Sequence, residues 1–226
     1  KGLLPLEEPY TALGHVVQGR HPIPPERSSV TGPEALVDWV LVELRDRDLP
    51  RRVVERRAGL LRRDGRVEAV GGGDIRFCAP AGHYHVAVRH RNHLGCMSAQ
   101  PVLLGEGKAV LDLRAPGTPV HGSGARRQRG GVMTLWAGDA NGDGLVKYSG
   151  RYNDRDLILV AVGGVDPAAT VDGYHQEDVN MDGVVRYLGA DNDPDVVLGT
   201  VGGAYSAKRV EQVPVWLLLP PASEAK

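Results

Sequence analysis

Gly138-Asp139-Ala140-Asn141-Gly142-Asp143-Gly144-Leu145-Val146-Lys147-Tyr148 returns further along as Asp178-Val179-Asn180-Met181-Asp182-Gly183-Val184-Val185-Arg186-Tyr187, with Asp178 standing 39 positions after Asp139. The agreement continues beyond the two stretches. Gly150 matches Gly189, Asn153-Asp154 matches Asn192-Asp193, and Asp156 matches Asp195. Val162-Gly163-Gly164 matches Val201-Gly202-Gly203. Such self-similarity marks one structural unit built twice, so residues 135–206 read as a small paired-loop domain.

Each copy opens as D-x-N-x-D-G, the start of an EF-hand-type calcium loop. The residue types suit a hard cation. Side-chain oxygens of Asp139, Asn141 and Asp143 fall at positions 1, 3 and 5, as do those of Asp178, Asn180 and Asp182. They converge when the loop curls back on itself. Position 6 is Gly144 or Gly183, where a sharp turn leaves no room for a Cβ. Leu145 and Val184 at position 7 would give a backbone carbonyl. The apolar residues at positions 7 and 8 would let the two loops pair with each other in a short antiparallel bridge.

The far end departs from that pattern. Position 12, where a bidentate acid belongs, is Gly150 or Gly189. The next acids are Asp154 and Asp156, and Asp193 and Asp195. Each pair precedes an apolar run with the look of a short helix, Leu157 to Val160 or Val196 to Leu198. The simplest reading is an insertion, with Asp156 and Asp195 as closing acids at helix N-termini. Asp154 and Asp193, with their neighbours Asn153 and Asn192, would add a ligand, a water-mediated contact or a cap. Two Ca²⁺ sites follow. Magnesium wants fewer protein ligands in rigid octahedra, and zinc wants nitrogen or sulfur.

Charge divides the chain in the same place. Residues 1–130 hold 20 basic and 14 acidic side chains, and residues 131–226 hold 7 and 14. The formal net charge of −1 is therefore a cancellation between a basic and an acidic part. No apolar run is long enough to span a membrane. No basic, apolar signal segment opens the chain, and its start at Lys1 reads as a processed or excised product. At 42% hydrophobic residues a core is affordable, while 30 Gly and 16 Pro argue for many turns and few long helices.

Upstream of the repeat, residues 1–33 read as an extended arm, since Pro5 and Pro22-Ile23-Pro24-Pro25 forbid a long helix. Residues 34–116 read as an Ig-like antiparallel β-sandwich. Val37 to Arg45, Val53 to Arg57, Val67 to Val70, Ile75 to Cys78, His83 to Arg91 and Ala109 to Leu113 are its strands, and Asp64-Gly65 is a hairpin turn. Strict alternation in His83 to Arg91 puts Tyr84, Val86 and Val88 on one face, the expected core side. Residues 117–134, rich in Gly and Arg, read as a solvated linker, and residues 207–226 as a tail. Cys78 and Cys96 have no metal or redox spacing. A hairpin would carry them apart, which leaves a disulfide or two buried thiols.

The segments GLLPLEEPYTALG (2–14), VDWVLVELRD (37–46), YHVAVRHRNHLGCM (84–97), LWAGDANGDGLVKY (135–148), NDRD (153–156), EDVNMDGVVRY (177–187) and EQVP (211–214) cover most of the chain. Together they resemble a C-terminal module of large secreted and surface proteins of Bacteroidetes-type bacteria, whose paired loops are dockerin-like. The resemblance implies an extracellular, calcium-binding, non-catalytic module. It departs at Pro214, where such a module would stop and this chain continues through Val215 to Pro221. It also departs at Pro194, between Asp193 and Asp195.

Other chemistry is sparse. No G-x-S-x-G occurs, and Gly71-Gly72-Gly73 lacks the Lys-Ser/Thr of a phosphate loop. His83, His85, His90 and His93 sit among basic neighbours, which suits structural histidines better than a metal site. Trp39, Trp136 and Trp216 suit packing better than a sugar platform. Arg126-Arg127-Gln128-Arg129 lacks the stacking aromatics of a nucleic-acid site. The expected function is a calcium-stabilised surface module without catalysis or membrane insertion. It would self-associate through the apolar Leu3-Leu4 of the arm and Val215 to Leu219 of the tail, adding a strand to a neighbouring sheet in a filament or layer. The alternative is a monomeric adhesin or carbohydrate-binding module recognising a surface glycan or protein.

Overall fold

The structure is a computed structural model, and it describes residues 3–105, 107–203 and 209–211. The chain is built mainly of antiparallel β-sheets with few helices. The tail residues Val215 to Leu219, the third tryptophan Trp216 and the end of the EQVP segment lie outside the described residues.

One sheet dominates. Its strands are β1 (Leu36–Asp46), β2 (Val53–Arg62), β3 (Val67–Glu68), β4 (Gly82–Arg89), β6 (Cys96–Met97) and β7 (Val102–Leu104). The order is β3-β2-β1-β4-β6, and β7 also pairs with β4. The Asp64-Gly65 turn joins β2 to β3, with Gly65 N donating to Arg62 O at 2.9 Å. Ile75 to Cys78 and Ala109 to Leu113, expected as strands, lie outside regular structure. The remaining strands form two-stranded ladders rather than a second large sheet: β5 (His93–Leu94) with β10 (Trp136–Ala137), β8 (Arg127–Arg129) with β9 (Val132–Thr134), and two further ladders in the repeat.

The arm supplies the layer over one face of this sheet. Tyr10 and Ile23 are buried in one cluster with Trp39, Leu41, Leu60 and Val70. Each fully buried side chain of this size contributes about 1.5–3 kcal/mol. Two hydrogen bonds orient the arm: Tyr10 Oη donates to Trp39 O at 2.8 Å, and Trp39 Nε1 donates to Pro5 O at 2.9 Å. Gln18 bridges to Arg57 at the edge of β2. Residues 25–28 form a single helical turn, α1 (Pro25–Ser28). Leu4 packs on the core, while Leu3 is part-exposed.

Beyond Leu41 the same face turns polar. Glu43 is fully buried, accepting from Arg45 Nε at 2.8 Å and Arg56 Nε at 3.0 Å, with Arg89 at 4.0 Å. Charges this deep must be paired, and removing one partner costs about 3–5 kcal/mol.

The alternation of β4 holds, but the fully enclosed side is the opposite of the expected one. Ala87 packs on Met97, and His85 Nδ1 meets Ser98 O at 2.9 Å. Tyr84, Val86 and Val88 are only half-buried, because Tyr84 reaches outward to donate to Pro80 O at 2.8 Å. Both cysteines are free. Cys96 is buried in β6, whereas Cys78 is exposed ahead of β4, beside Arg57 Nη2 at 3.0 Å. The Gly/Arg-rich stretch is not fully solvated. Ala125 and Arg126 are buried, and Arg126 Nη2 donates to Thr118 O at 2.6 Å. Trp39 is core, and Trp136 Nε1 donates to Gly124 O at 2.8 Å.

The repeat forms a second core. Val146, Ile158 and Val162 of the first copy meet Val185, Val197 and Val201 of the second, with Leu94 from β5 among them. Its elements are β11 (Leu145–Lys147), α2 (Asp154–Ala161), β12 (Thr170–Asp172), β13 (Val184–Arg186), α3 (Asp193–Thr200) and β14 (Arg209–Glu211). The two loop strands do not pair with each other, contrary to expectation. β11 pairs with β14, and β13 pairs with β12. β12 follows the first copy and β14 follows the second at the same 39-residue spacing. Each copy therefore lends its trailing strand to the other.

Candidate metal centre

Loop one curls because its own side chains bond the backbone. Gly144 N donates to Asp139 Oδ2 at 3.1 Å, Asp143 N to Asn141 Oδ1 at 2.9 Å, and Leu145 N to Asp143 Oδ1 at 2.8 Å. Loop two repeats this: Gly183 N to Asp178 Oδ2 at 3.1 Å, Asp182 N to Asn180 Oδ1 at 2.7 Å, and Val184 N to Asp182 Oδ1 at 2.9 Å. Position 6 is left-handed in both, with φ of 80° at Gly144 and 92° at Gly183.

The acids that close the loops are Asp154 and Asp193. Asp154 is fully buried. It accepts from Ala140 N at 2.8 Å and from Lys147 N at 2.7 Å, joining the start of the loop to β11. Asp193 does the same with Val179 N at 2.8 Å and Arg186 N at 2.8 Å. Asp156 and Asp195, expected as closing acids, pair with the N-cap asparagines of their helices. Asp156 N donates to Asn153 Oδ1 at 2.9 Å while Asn153 Nδ2 donates to Asp156 Oδ2 at 2.7 Å, and Asn192 and Asp195 repeat the pair at 3.0 and 2.9 Å. Asp156 faces solvent and Arg155, whose guanidinium holds its carboxyl below the usual range. Pro194 does not disturb Asp193, since proline is tolerated in the first turn of a helix. Leu145 and Val184 stand first in β11 and β13.

Electrostatics sets the inward acids apart. Burial, then Asp154 and Asp143, pushes Asp139 up to about 8. Burial pushes Asp154 up to about 7 and Asp193 up to about 6, and it raises Asp178 as well. Asp139 Oδ1 is buried without a hydrogen-bond partner. Asp143 and Asp182, at position 5, lie nearer the surface, 3.6 Å from Lys147 Nζ and 3.2 Å from Arg186 Nη1. Among the described residues no three His, Cys, Asp or Glu side chains form a ready metal cluster. A cation here would draw on two inward carboxylates per loop, supplemented by Asn141 or Asn180 and main-chain carbonyls. The unpartnered oxygen and the all-oxygen donor set fit a hard cation.

Two residues that support the site escaped the sequence reading. Asn92 is fully buried between the loops. Its carbonyl accepts from Asp139 N at 3.1 Å, and its Nδ2 donates to Asp178 O at 2.6 Å. Arg91 reaches Asp38 at 3.5 Å and Asp178 at 4.0 Å. Both lie within the YHVAVRHRNHLGCM segment (84–97), but nothing in that segment marks them as partners of the loops. The four histidines are structural in their contacts. His90 Nε2 lies 3.1 Å from Asp38, His93 Nδ1 lies 2.8 Å from Asn92 Oδ1, His85 is buried and His83 exposed. Compared with known proteins, the chain matches no family model, no curated protein and no solved structure.

Proposed function

We propose that this chain is a non-catalytic, calcium-stabilised structural module of an extracellular surface protein, with one Ca²⁺ in each loop. The observation that carries the reading is Asp139, a buried acid with an unpartnered oxygen beside a second buried acid, in a loop repeated at identical spacing. Burial of this kind is relieved by a proton, which Asp139 holds when raised to about 8, or by a cation that displaces it. Calcium acts by linkage, adding about 2.7 kcal/mol to folding stability at a free concentration a hundred times Kd. Extracellular modules of this chemistry work at about 10⁻⁴–10⁻³ M, which suits a calcium-rich exterior. Among the described residues no helix is long and apolar enough to cross a membrane.

The proposed role is assembly or anchoring at a cell surface. Tyr10 and Ile23 of the arm are buried against their own sheet, while Leu3 near its start is exposed and could meet a neighbour. A chelator is expected to lower the melting temperature, and Asp139→Asn to reproduce part of that loss. A melting curve indifferent to both would refute the calcium reading. Sedimentation in millimolar calcium tests assembly, and a strictly monomeric species at high concentration would favour the adhesin or glycan-binding alternative.

A further inference from the structure

We infer that Asn141-Gly142 makes loop one a self-modifying site: without metal, Asn141 deamidates through a cyclic imide, and a calcium ion in the loop holds that reaction off. Only the protection rests on the calcium reading above. Asn141-Gly142 is the one Asn-Gly pair in the sequence, and loop two has Asn180-Met181 in its place. The reaction needs the Gly142 nitrogen to reach the side-chain carbonyl carbon of Asn141. A following glycine, with no Cβ, hinders that approach least.

The loop supplies what the reaction needs. Among the described residues no hydrogen bond engages the Gly142 N–H, so nothing withholds the nucleophile. Asn141 Oδ1 accepts from Asp143 N at 2.9 Å, a donor aimed at the oxygen where negative charge develops. Asn141 Nδ2, the leaving nitrogen, donates to Asp143 Oδ2 at 3.1 Å. Loop two shares the first contact but not the second. Its Asn180 Nδ2 is held by Asp191 O at 2.6 Å, where the matching contact of Asn141 to Tyr152 O is 3.4 Å. Asn141 and Gly142 are half-buried and line a cleft with Tyr10 and His15 of the arm.

In the first step Gly142 N gives its proton to water and bonds to Asn141 Cγ. The Cγ–Nδ2 bond breaks, and the amide nitrogen takes up a proton and leaves as ammonia. Water then opens the imide at either carbonyl. Opening one way leaves aspartate at position 141, a further negative charge beside Asp139 and Asp143. Opening the other way leaves isoaspartate, which lengthens the backbone and disrupts the loop's own hydrogen bonds. A cation held by Asp139, Asn141 and Asp143 fixes the Asn141 backbone, and the imide ring cannot close without turning it.

The test is to age the full chain in mildly alkaline buffer, with chelator or with millimolar calcium chloride. Mass spectrometry of its digests then reads the mass gain of amide to acid at each asparagine. In chelator, Asn141 should convert about tenfold or more faster than Asn180. Calcium should slow Asn141 severalfold. Gly142→Ala should slow it in chelator, and Met181→Gly should speed Asn180. If Gly142→Ala does not fold, the wild-type chain and Met181→Gly still decide. Conversion of Asn141 no faster than that of Asn180, or a Met181→Gly variant with Asn180 unchanged, overturns the inference. An Asn141 that outpaces Asn180 equally with and without calcium overturns the protection and counts against calcium in loop one, while the modification site stands.

Discussion

At the scale of single residues the two loops differ most at position 4. Gly142 has φ of 70° and its counterpart Met181 has φ of 65°. A side chain in this left-handed region costs about 1–2 kcal/mol, which glycine avoids. Met181→Gly is therefore expected to raise stability by about 1 kcal/mol, part of the gain being offset by the freer unfolded chain. Gly142→Ala should lower it, and its Cβ would also come 3.1 Å from Gln176 Nε2. Urea unfolding of both variants in chelator checks the pair, and a destabilised Met181→Gly would contradict the strain argument. Residue by residue, the sequence was most legible where chemistry dictates spacing. Asp139, Asn141, Asp143 and their copies bond their own loop backbone at matching positions in both copies. It was least legible where two chemically identical acids compete. Nothing in D-x-D says which turns inward. The choice falls to helix geometry: Asp156 and Asp195 lie at the third position of a helix, where capping by Asn153 and Asn192 claims them. Asp154 and Asp193 are left to face the core.

At the scale of elements, the exchange of trailing strands makes the repeat one unit. Val171 of β12 packs in the shared core opposite Val185, and Val210 of β14 opposite Val146. Each therefore braces the loop of the other copy. Val210→Ala, which removes about 1–2 kcal/mol of apolar burial, should weaken calcium binding at loop one. Val171→Ala should weaken it at loop two. Calorimetric titration with calcium chloride reads both, and the opposite assignment would mean that each strand serves its own copy. The signal for this exchange was in the sequence, since Thr170-Val171-Asp172 and Arg209-Val210-Glu211 share the 39-residue spacing. It was weak because three residues around a single valine carry little pattern. The large sheet shows a different limit. Residue content placed β1 and period-two alternation placed β4, but neither can say which face is closed when both are covered. Val40, Val42 and Leu44 are buried on one side of β1 and Trp39 and Leu41 on the other. The cover on the second side comes from an arm whose prolines advertise only that it is not a helix.

At the scale of the whole molecule, acidic loops and buried histidines pull stability in opposite directions as pH changes. Burial, then the charge of Arg89, lowers His15 to about 4. Burial, then His90 and Arg91, holds His93 well below its usual value. Below about pH 6.5 the unfolded chain protonates these rings and the folded chain does not. Their contribution is complete above that pH and is lost as pH falls, for His15 toward about 4, with a slope of up to about 1.4 kcal/mol per unit for each ring. Asp139 and Asp154, raised to about 8 and 7, behave the other way without metal. Folded protein then holds protons that the unfolded chain has released, so stability is present below about pH 4 and lost as pH rises through 7 to 8. With Asp193 raised to about 6 and Asp178 raised as well, the acids outweigh the two rings, so the metal-free protein should weaken from about pH 4 toward pH 8. Calcium competes with those same protons, so its stabilising increment should grow from about pH 5 to pH 8. Melting curves with and without chelator at both pH values measure that increment. Equal increments would mean that calcium does not displace protons from Asp139 and Asp154. The charge balance moves with it: two bound ions would carry the formal net charge of −1 to +3, leaving the excess on the basic residues 1–130. Filling would thus ease the repulsion that the acidic residues 131–226 present to an anionic neighbour, while residues 1–130 stay basic in both states.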